Sequence, residues 1–224
     1  MAVISENRLT SIPKDFDLKL AQLFGCAVTT AFGVVNNDAK ITAGQSVVIY
    51  GVGGVGLNIA QAASMASAYP IVGIDILEKK IQLGKQHGLT HGLISKDGEL
   101  RNKISRITGT LGVDVAIDTT GKKEIIEECY NLTNSDGIII CVGVPNKGDN
   151  ISIHSLPLHF NKKITGSHGG NSKPDIDIPR FIKLINANKL QLNNLITHEF
   201  GIENINEAIT LMRNGDCGRI VIKF

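Results

Sequence analysis

The sequence lacks an excess of charge of either sign, with 23 Lys and Arg residues against 21 Asp and Glu residues and a formal net charge of +2. A balance this close to neutral gives no support for a nucleic-acid or membrane-surface partner. The chain also lacks an apolar run near the ~18 residues of a membrane span. Charged residues at Glu6, Arg8 and Lys14 interrupt the apolar stretch that a signal peptide would need.

Cysteine is scarce as well, and no two cysteines have C-x-x-C spacing. Four are present, at Cys26, Cys129, Cys141 and Cys217. Cysteines scattered in this way favour neither a disulfide framework nor a zinc knot. We therefore predict a reducing, cytoplasmic compartment. Hydrophobic residues at 42% and charged residues at 20% are typical of a globular chain rather than a disordered one.

Short apolar runs alternate with helix-length segments through the first two thirds of the chain. The predicted strands are 46–50, 71–74, 92–94, 113–117 and 137–142, and the predicted helices between them are 55–68, 77–87, 100–107 and 124–132. Strands that are apolar throughout, separated by helices, indicate a parallel sheet covered on both faces. Outside this pattern, we predict one helix over 18–35, another over 178–188, a strand at 163–166 and a terminal strand over 219–224.

A glycine-rich loop joins the first strand to the first helix of this alternation. Gly51, Gly53 and Gly56 satisfy G-x-G-x-x-G in the strand-to-helix setting that the motif requires. In such a loop the first glycine permits the turn, the second lets the backbone approach a pyrophosphate, and the third lets the helix pack on the sheet. The free amides at the start of the helix then face the phosphates. The fold predicted is a Rossmann doubly wound sheet that binds a dinucleotide.

A carboxylate follows at the end of the second strand. Asp75 lies where an acidic side chain accepts hydrogen bonds from the adenosine ribose hydroxyls. The same charge would repel a 2′-phosphate, so the sequence favours NAD over NADP.

Three further segments resemble the zinc-dependent medium-chain alcohol dehydrogenases. They are Gly25–Gly33 ahead of the glycine loop, Val142-Gly143-Val144-Pro145 after the fifth strand, and the closing stretch from Ile196 through Asn204 and Glu207, a predicted capping box, to Arg219. The resemblance runs from about residue 5 to residue 224. It implies a cofactor site formed by Thr30, Gly51, Gly53, Gly54, Val55, Gly56, Asp75, Lys80, Val142, Val144 and Arg219.

The same resemblance implies that Cys26 is one ligand of a catalytic zinc. A thiolate is a good zinc ligand, but a catalytic site needs three protein ligands. Members of the family take the other two ligands and a proton relay from a barrel-like domain ahead of this region, and no such domain is expected here. We therefore leave the catalytic residues unassigned and the zinc site doubtful, and we predict a chain that binds NAD better than it turns over an alcohol or aldehyde.

Two alternatives remain open at this stage: a zinc-independent quinone or enoyl reductase relative, and a non-catalytic dinucleotide-binding module. The expected organisation is a catalytic-domain remnant with a connecting helix over 1–40, an NAD-binding core over 41–165, and the remaining Rossmann and catalytic-domain segment over 166–224. The resemblance also implies a homodimer, with 142–153 supplying an edge strand at the interface.

Overall fold

The computed structural model describes residues 3–95, 99–215 and 217–224. They form two compact units, which we call the sheet unit, Ala27–Ser172, and the terminal unit, Met1–Cys26 with Lys173–Phe224. The sheet unit is built on a six-stranded sheet with the strand order β3-β2-β1-β4-β5-β6. The strands are β1 Val47–Tyr50, β2 Ile71–Asp75, β3 His91–Ile94, β4 Val113–Asp118, β5 Thr133–Cys141 and β6 Lys163–Gly166.

All five strand pairings in this sheet are parallel, as the alternation of strands and helices predicted. Parallel neighbours need crossover connections, and helices supply most of them. The helices of the sheet unit are α2 Ala27–Gly33, α3 Gly54–Met65, α4 Glu78–Gln86, α5 Leu100–Thr108, α6 Lys123–Leu132 and α7 Leu156–His159. The strand order reverses beside β1, which makes the sheet doubly wound.

Burial on both faces explains why β1 and β2 carry no polar side chain before their last residues, Tyr50 and Asp75. Every residue of β1 is buried, and side chains alternate between faces along a strand. Val48 and Tyr50 belong to a core cluster with Leu100 and Ile104 of α5. On α4, a Cβ at Gly84 would overlap Leu89 and Val52, so this helix approaches the sheet closely.

The strand register brings the carboxyl ends of five strands to one edge. Tyr50 pairs with Ile74 on one side and with Asp118 on the other. Asp118 then pairs with Cys141, and Cys141 pairs with Gly166. The loops that follow these residues therefore meet at the same edge of the sheet, where open α/β sheets bind ligands.

The terminal unit contains a separate parallel pair, β7 Ile196–Gly201 and β8 Arg219–Lys223. Its helices are α1 Leu18–Ala21, α8 Pro174–Asn186 and α9 Ile205–Arg213. The carboxylate of Glu199 contacts the ammonium groups of Lys19, at 2.5 Å, and Lys223, which joins the N-terminal segment to both strands. Hydrogen bonds and charge from these two lysines lower the pKa of Glu199.

Three local predictions are wrong. The single helix over 18–35 is broken, because Cys26 has φ −153° and ψ −65°, which is not helical. The segment from Val142 to Ile153 forms no strand, and β5 instead extends back to Thr133. Asn204 precedes α9 without a side-chain capping bond, so the predicted capping box does not form. After β5, the amides of Val142 and Gly143 both donate to the Asp118 carbonyl, so the chain turns there instead of continuing as a strand.

Among the described residues, no single helix is long and apolar enough to cross a membrane. The neighbouring segments Leu18–Gly25 and Ala27–Asp38 meet these length and composition criteria only when they are taken together.

The buried histidine at the end of α4 makes a prediction for pH dependence. His87 is 4% exposed, and its Nε2 has no hydrogen-bond partner. Burial lowers the pKa of His87 below its usual range. The folded state then binds fewer protons than the unfolded state, so this contribution to stability is full above about pH 6.5 and is lost as pH falls. We expect the free energy of unfolding to decline toward pH 5, with a slope of at most about 1.4 kcal/mol per pH unit from this group.

Urea unfolding followed by circular dichroism between pH 5 and 8 measures this slope. His87→Leu should flatten the decline, while His159→Leu, at an exposed histidine, should leave it unchanged. Equal slopes in His87→Leu and the unmodified chain would refute the assignment.

Candidate dinucleotide site

The glycine loop has the close backbone approach expected of a phosphate-binding turn. Gly51 has φ +91°, and its carbonyl oxygen lies against Gly56, where a Cβ would overlap it. Gly53 precedes α3, and a Cβ there would meet no atom within 4 Å. The first turn of α3 thus begins beside an open surface, with its free amides at that end.

Asp75 is the buried carboxylate of this site. It ends β2, is 7% exposed, and accepts hydrogen bonds from the amides of Val52 at 2.8 Å and Leu77 at 3.0 Å. Each bond uses a different carboxylate oxygen, so both oxygens keep a lone pair for a further donor. The charge is therefore held beside the glycine loop in a fixed orientation.

A cleft of about 340 Å³ opens between the glycine loop and the strand ends. Among the predicted site residues it is lined by Gly51, Gly53, Asp75 and Lys80. It is also lined by residues that the sequence analysis did not select, namely Tyr50, Ile74, Ile76, Ser95, Thr119, Thr120, Lys122 and Ile125. All but Ile125, which is on α6, lie at or just after the carboxyl ends of β1 to β4. The rule that ligands bind at the carboxyl ends of parallel strands was the signal that could have found them.

The loop after β4 is organised by a second buried acid. Asp118 is fully buried and accepts hydrogen bonds from the amides of Thr120, at 2.8 Å, and Gly121, at 3.0 Å. Thr119 donates its hydroxyl proton toward the Gly51 carbonyl at 2.8 Å, which ties this loop to the glycine loop. The two walls of the cleft are thereby fixed to each other.

The remaining predicted residues of the sheet unit lie around the same edge. Gly54 and Val55 begin α3, and Val142 donates its amide to the Asp118 carbonyl at 2.8 Å. Val144 is 90% exposed, and its backbone lies against Gly121.

Thr30 lies on α2, which is tied to the loop that follows β6. Asn37, just beyond α2, donates to the Gly170 carbonyl at 2.9 Å, and a Cβ at Gly170 would overlap the Thr30 carbonyl oxygen. Asp38 accepts hydrogen bonds from Ser167 at 2.5 Å and from Asn171 at 2.6 Å. These contacts place Thr30 next to the carboxyl end of the outermost strand.

Cys26 and Arg219 belong to the terminal unit. The Cys26 thiol is exposed, and the Nε of Arg219 is buried without a hydrogen-bond partner. Their roles as zinc ligand and pyrophosphate contact stay predictions. Within residues 3–95, 99–215 and 217–224, no three His, Cys, Asp or Glu side chains are grouped as a metal site would need. The described part of the chain therefore does not fit a three-ligand zinc centre.

A doubly wound parallel sheet with a glycine loop and a carboxylate at the next strand end defines the Rossmann class of domains. A family model described as zinc-binding dehydrogenase matches residues 54–187, more than half of the chain. The chain belongs to this family of zinc-binding dehydrogenases.

Named relatives cover nearly all of the chain. It is 31% identical to alcohol dehydrogenase 2 of Tanacetum cinerariifolium, with 99% of this chain and 59% of that protein aligned. It is 32% identical to S-(hydroxymethyl)glutathione dehydrogenase of Synechocystis sp., with 99% and 61% aligned. The crystal structure of benzyl alcohol dehydrogenase from Acinetobacter calcoaceticus is similar with a TM-score of 0.92 and 31% identity, over 98% of this chain and 60% of that one. The chain thus spans about three fifths of the length of these relatives.

Two glycine substitutions should separate folding from binding in the loop. Gly56→Ala forces the loop away from α3, so we expect a lower melting temperature and at least a tenfold loss of NADH affinity. Gly53→Ala adds a methyl group that meets no protein atom within 4 Å, so it should leave the melting temperature unchanged and still weaken NADH about tenfold.

Thermal unfolding and NADH fluorescence titration measure the two effects. Undiminished NADH affinity in Gly53→Ala would show that the cofactor phosphates do not approach this glycine.

Proposed function

We propose that this chain is the NAD-binding portion of an alcohol dehydrogenase, which transfers hydride between an alcohol or aldehyde and NAD(H). The observation that carries the proposal is the buried Asp75 carboxylate, fixed beside the glycine loop by the Val52 amide. In the proposed complex, Gly51, Gly53 and the first amides of α3 hold the pyrophosphate. Asp75 accepts hydrogen bonds from the adenosine ribose, with Lys80 alongside in the cleft.

The second half of the sheet then receives the nicotinamide. A dinucleotide crosses the point where the strand order reverses, from the β1–β3 half to the β4–β6 half. Val142 and Val144 follow β5, and Thr30 contacts the loop after β6. These positions support a role for all three residues along this half of the cofactor. When bound, NAD supplies the hydride acceptor, and these residues orient its ring.

The carboxylate also supports a choice between cofactors. A 2′-phosphate on the ribose would bring negative charge to Asp75, which is buried and already holds two amide hydrogens. An NADP-dependent quinone or enoyl reductase is therefore the less favoured alternative.

A homodimer and a cytoplasmic location are further proposals from the sequence. After β5, the exposed side chains of Ile151, Leu156 and Phe160 support a contact with a second copy.

Neutralising the carboxylate should relax the cofactor preference. In Asp75→Asn, we expect NADH to bind about tenfold more weakly and NADPH to bind more tightly, because the repulsion of the 2′-phosphate is removed. Glu78→Gln is the matched control, since it removes a nearby carboxylate on α4 that accepts a hydrogen bond from Gln82. Titration of both variants with both nucleotides measures the ratio of affinities. A change of the same size in the two variants would refute the specific role of Asp75.

We also propose that the isolated chain binds cofactor but turns over little substrate. The support is that no three His, Cys, Asp or Glu side chains are grouped as a metal site would need within the described residues. Without a zinc ion to polarise the alcohol oxygen, the proton would leave far less readily before hydride transfer.

The expected result is tight NADH binding with no measurable NADH formation from NAD and a panel of primary and secondary alcohols, with and without added zinc. A complete alcohol dehydrogenase in the same assay is the positive control. Robust zinc-dependent oxidation by this chain would contradict the proposal, and failure to bind NADH would contradict the proposed cofactor site itself.

A further inference from the structure

Three polar side chains form a hydrogen-bonded row at the adenosine end of the cleft. Tyr50 ends β1 and is 3% exposed. Its hydroxyl lies 2.8 Å from Glu128 Oε2, on α6, and 2.7 Å from Ser95 Oγ, directly after β3. The Ser95 amide donates to the Asp75 carbonyl at 2.9 Å, which holds Ser95 beside the residue proposed to bind the ribose. Tyr50 and Ser95 line the cleft.

The direction of the protons in this row follows from the chemistry of its members. An ionised carboxylate only accepts hydrogen bonds, so the Tyr50 hydroxyl donates its one proton to Glu128. Burial, reinforced by Glu128, raises the pKa of Tyr50 well above its usual value, so the phenol keeps that proton. Ser95 must therefore donate its proton to the phenol oxygen. The lone pairs of Ser95 Oγ are left as acceptors toward the cleft.

The place of this acceptor relative to a bound dinucleotide follows from Asp75. If Asp75 holds the adenosine ribose, the base attached to that ribose lies beyond it in the same cleft. The wall there includes Ile76, which is 59% exposed, and Ile125, whose side chains suit the faces of a flat ring. Ser95 is a polar member of this wall, and its amide is hydrogen-bonded to the Asp75 carbonyl.

We propose that Ser95 Oγ accepts a hydrogen bond from the exocyclic amine of adenine, and that Glu128 fixes this polarity through Tyr50. The chain then selects adenine dinucleotides over hypoxanthine dinucleotides, which carry a carbonyl oxygen in place of the amine. In this arrangement Ser95 binds the base, and Tyr50 and Glu128 are positioning residues. The inference rests on the proposed function, because it takes the base position from the dinucleotide site.

The unmodified chain provides the first test. NADH and its hypoxanthine analogue are titrated separately into the purified protein, and binding is followed by nicotinamide fluorescence. We expect NADH to bind roughly tenfold more tightly, because the analogue sets its carbonyl oxygen against the Ser95 oxygen and both lose a hydrogen bond. Equal affinities overturn the inference and leave the dinucleotide site intact. Failure of both nucleotides to bind overturns the proposed function, and the inference falls with it.

Glu128→Gln tests the polarity. A glutamine amide can donate to the phenol oxygen, so Tyr50 can turn its proton toward Ser95, and Ser95 can donate to a carbonyl. We expect the tenfold preference to fall toward one, chiefly through tighter binding of the analogue. Glu127→Gln is the matched control, because it makes the same change one position earlier on α6, where the side chain accepts from the Ser152 amide. An unchanged preference in Glu128→Gln, or the same loss in both variants, overturns the inference.

Ser95→Ala and Ser95→Thr complete the series. The alanine variant removes the acceptor and should weaken NADH without weakening the analogue, whereas the threonine variant keeps a hydroxyl and should retain the preference. A general loss of fold would weaken both nucleotides equally, which the affinity ratio distinguishes. A preference that survives in Ser95→Ala overturns the role of Ser95.

Discussion

The hydrogen bond from the Val52 amide to the Asp75 carboxylate is the constraint on which the cleft depends. It joins the glycine loop after β1 to the end of β2 over 2.8 Å and buries a charge where water would otherwise compete. A buried carboxylate is tolerated only when donors satisfy it, and here the donors are the backbone amides of Val52 in the glycine loop and of Leu77 after β2. This hydrogen bond therefore fixes the shape of the loop and the position of the charge together. A glycine loop in another conformation would leave Asp75 Oδ2 without the Val52 amide as its donor.

The same principle recurs at β4, on the other side of β1 in the sheet. Asp118 is buried at the end of β4 and organises its own following loop through the amides of Thr120 and Gly121. Each of these carboxylates lies at the carboxyl end of a parallel strand, where the sheet stops and backbone amides are free to donate. Two fixed loops facing each other make a rigid cleft, which suits an extended ligand that must lie in one orientation.

The end of the cleft that we propose for the base combines apolar side chains with a row of hydrogen-bonded polar ones. Tyr50, Ser95 and Glu128 come from β1, the segment after β3, and α6, and they meet only because β1 lies centrally in the sheet. A tyrosine at the end of a buried strand would ordinarily be counted as core. A buried tyrosine hydroxyl requires hydrogen-bond partners, and Tyr50 finds them in Glu128 and in Ser95, which lines the cleft.

The sequence by itself determined the sheet, the glycine loop and Asp75, because strand burial, glycine spacing and a strand-end carboxylate are all local patterns. It also indicated the family, through the segments around Gly25 and Val142. Only the tertiary structure decided that the helix over 18–35 breaks at Cys26, that 142–153 forms no strand, and that Tyr50, Ser95 and Thr119 share one cleft. Those outcomes depend on contacts between residues far apart in the chain, and parallel pairing creates such contacts without leaving any trace in local periodicity.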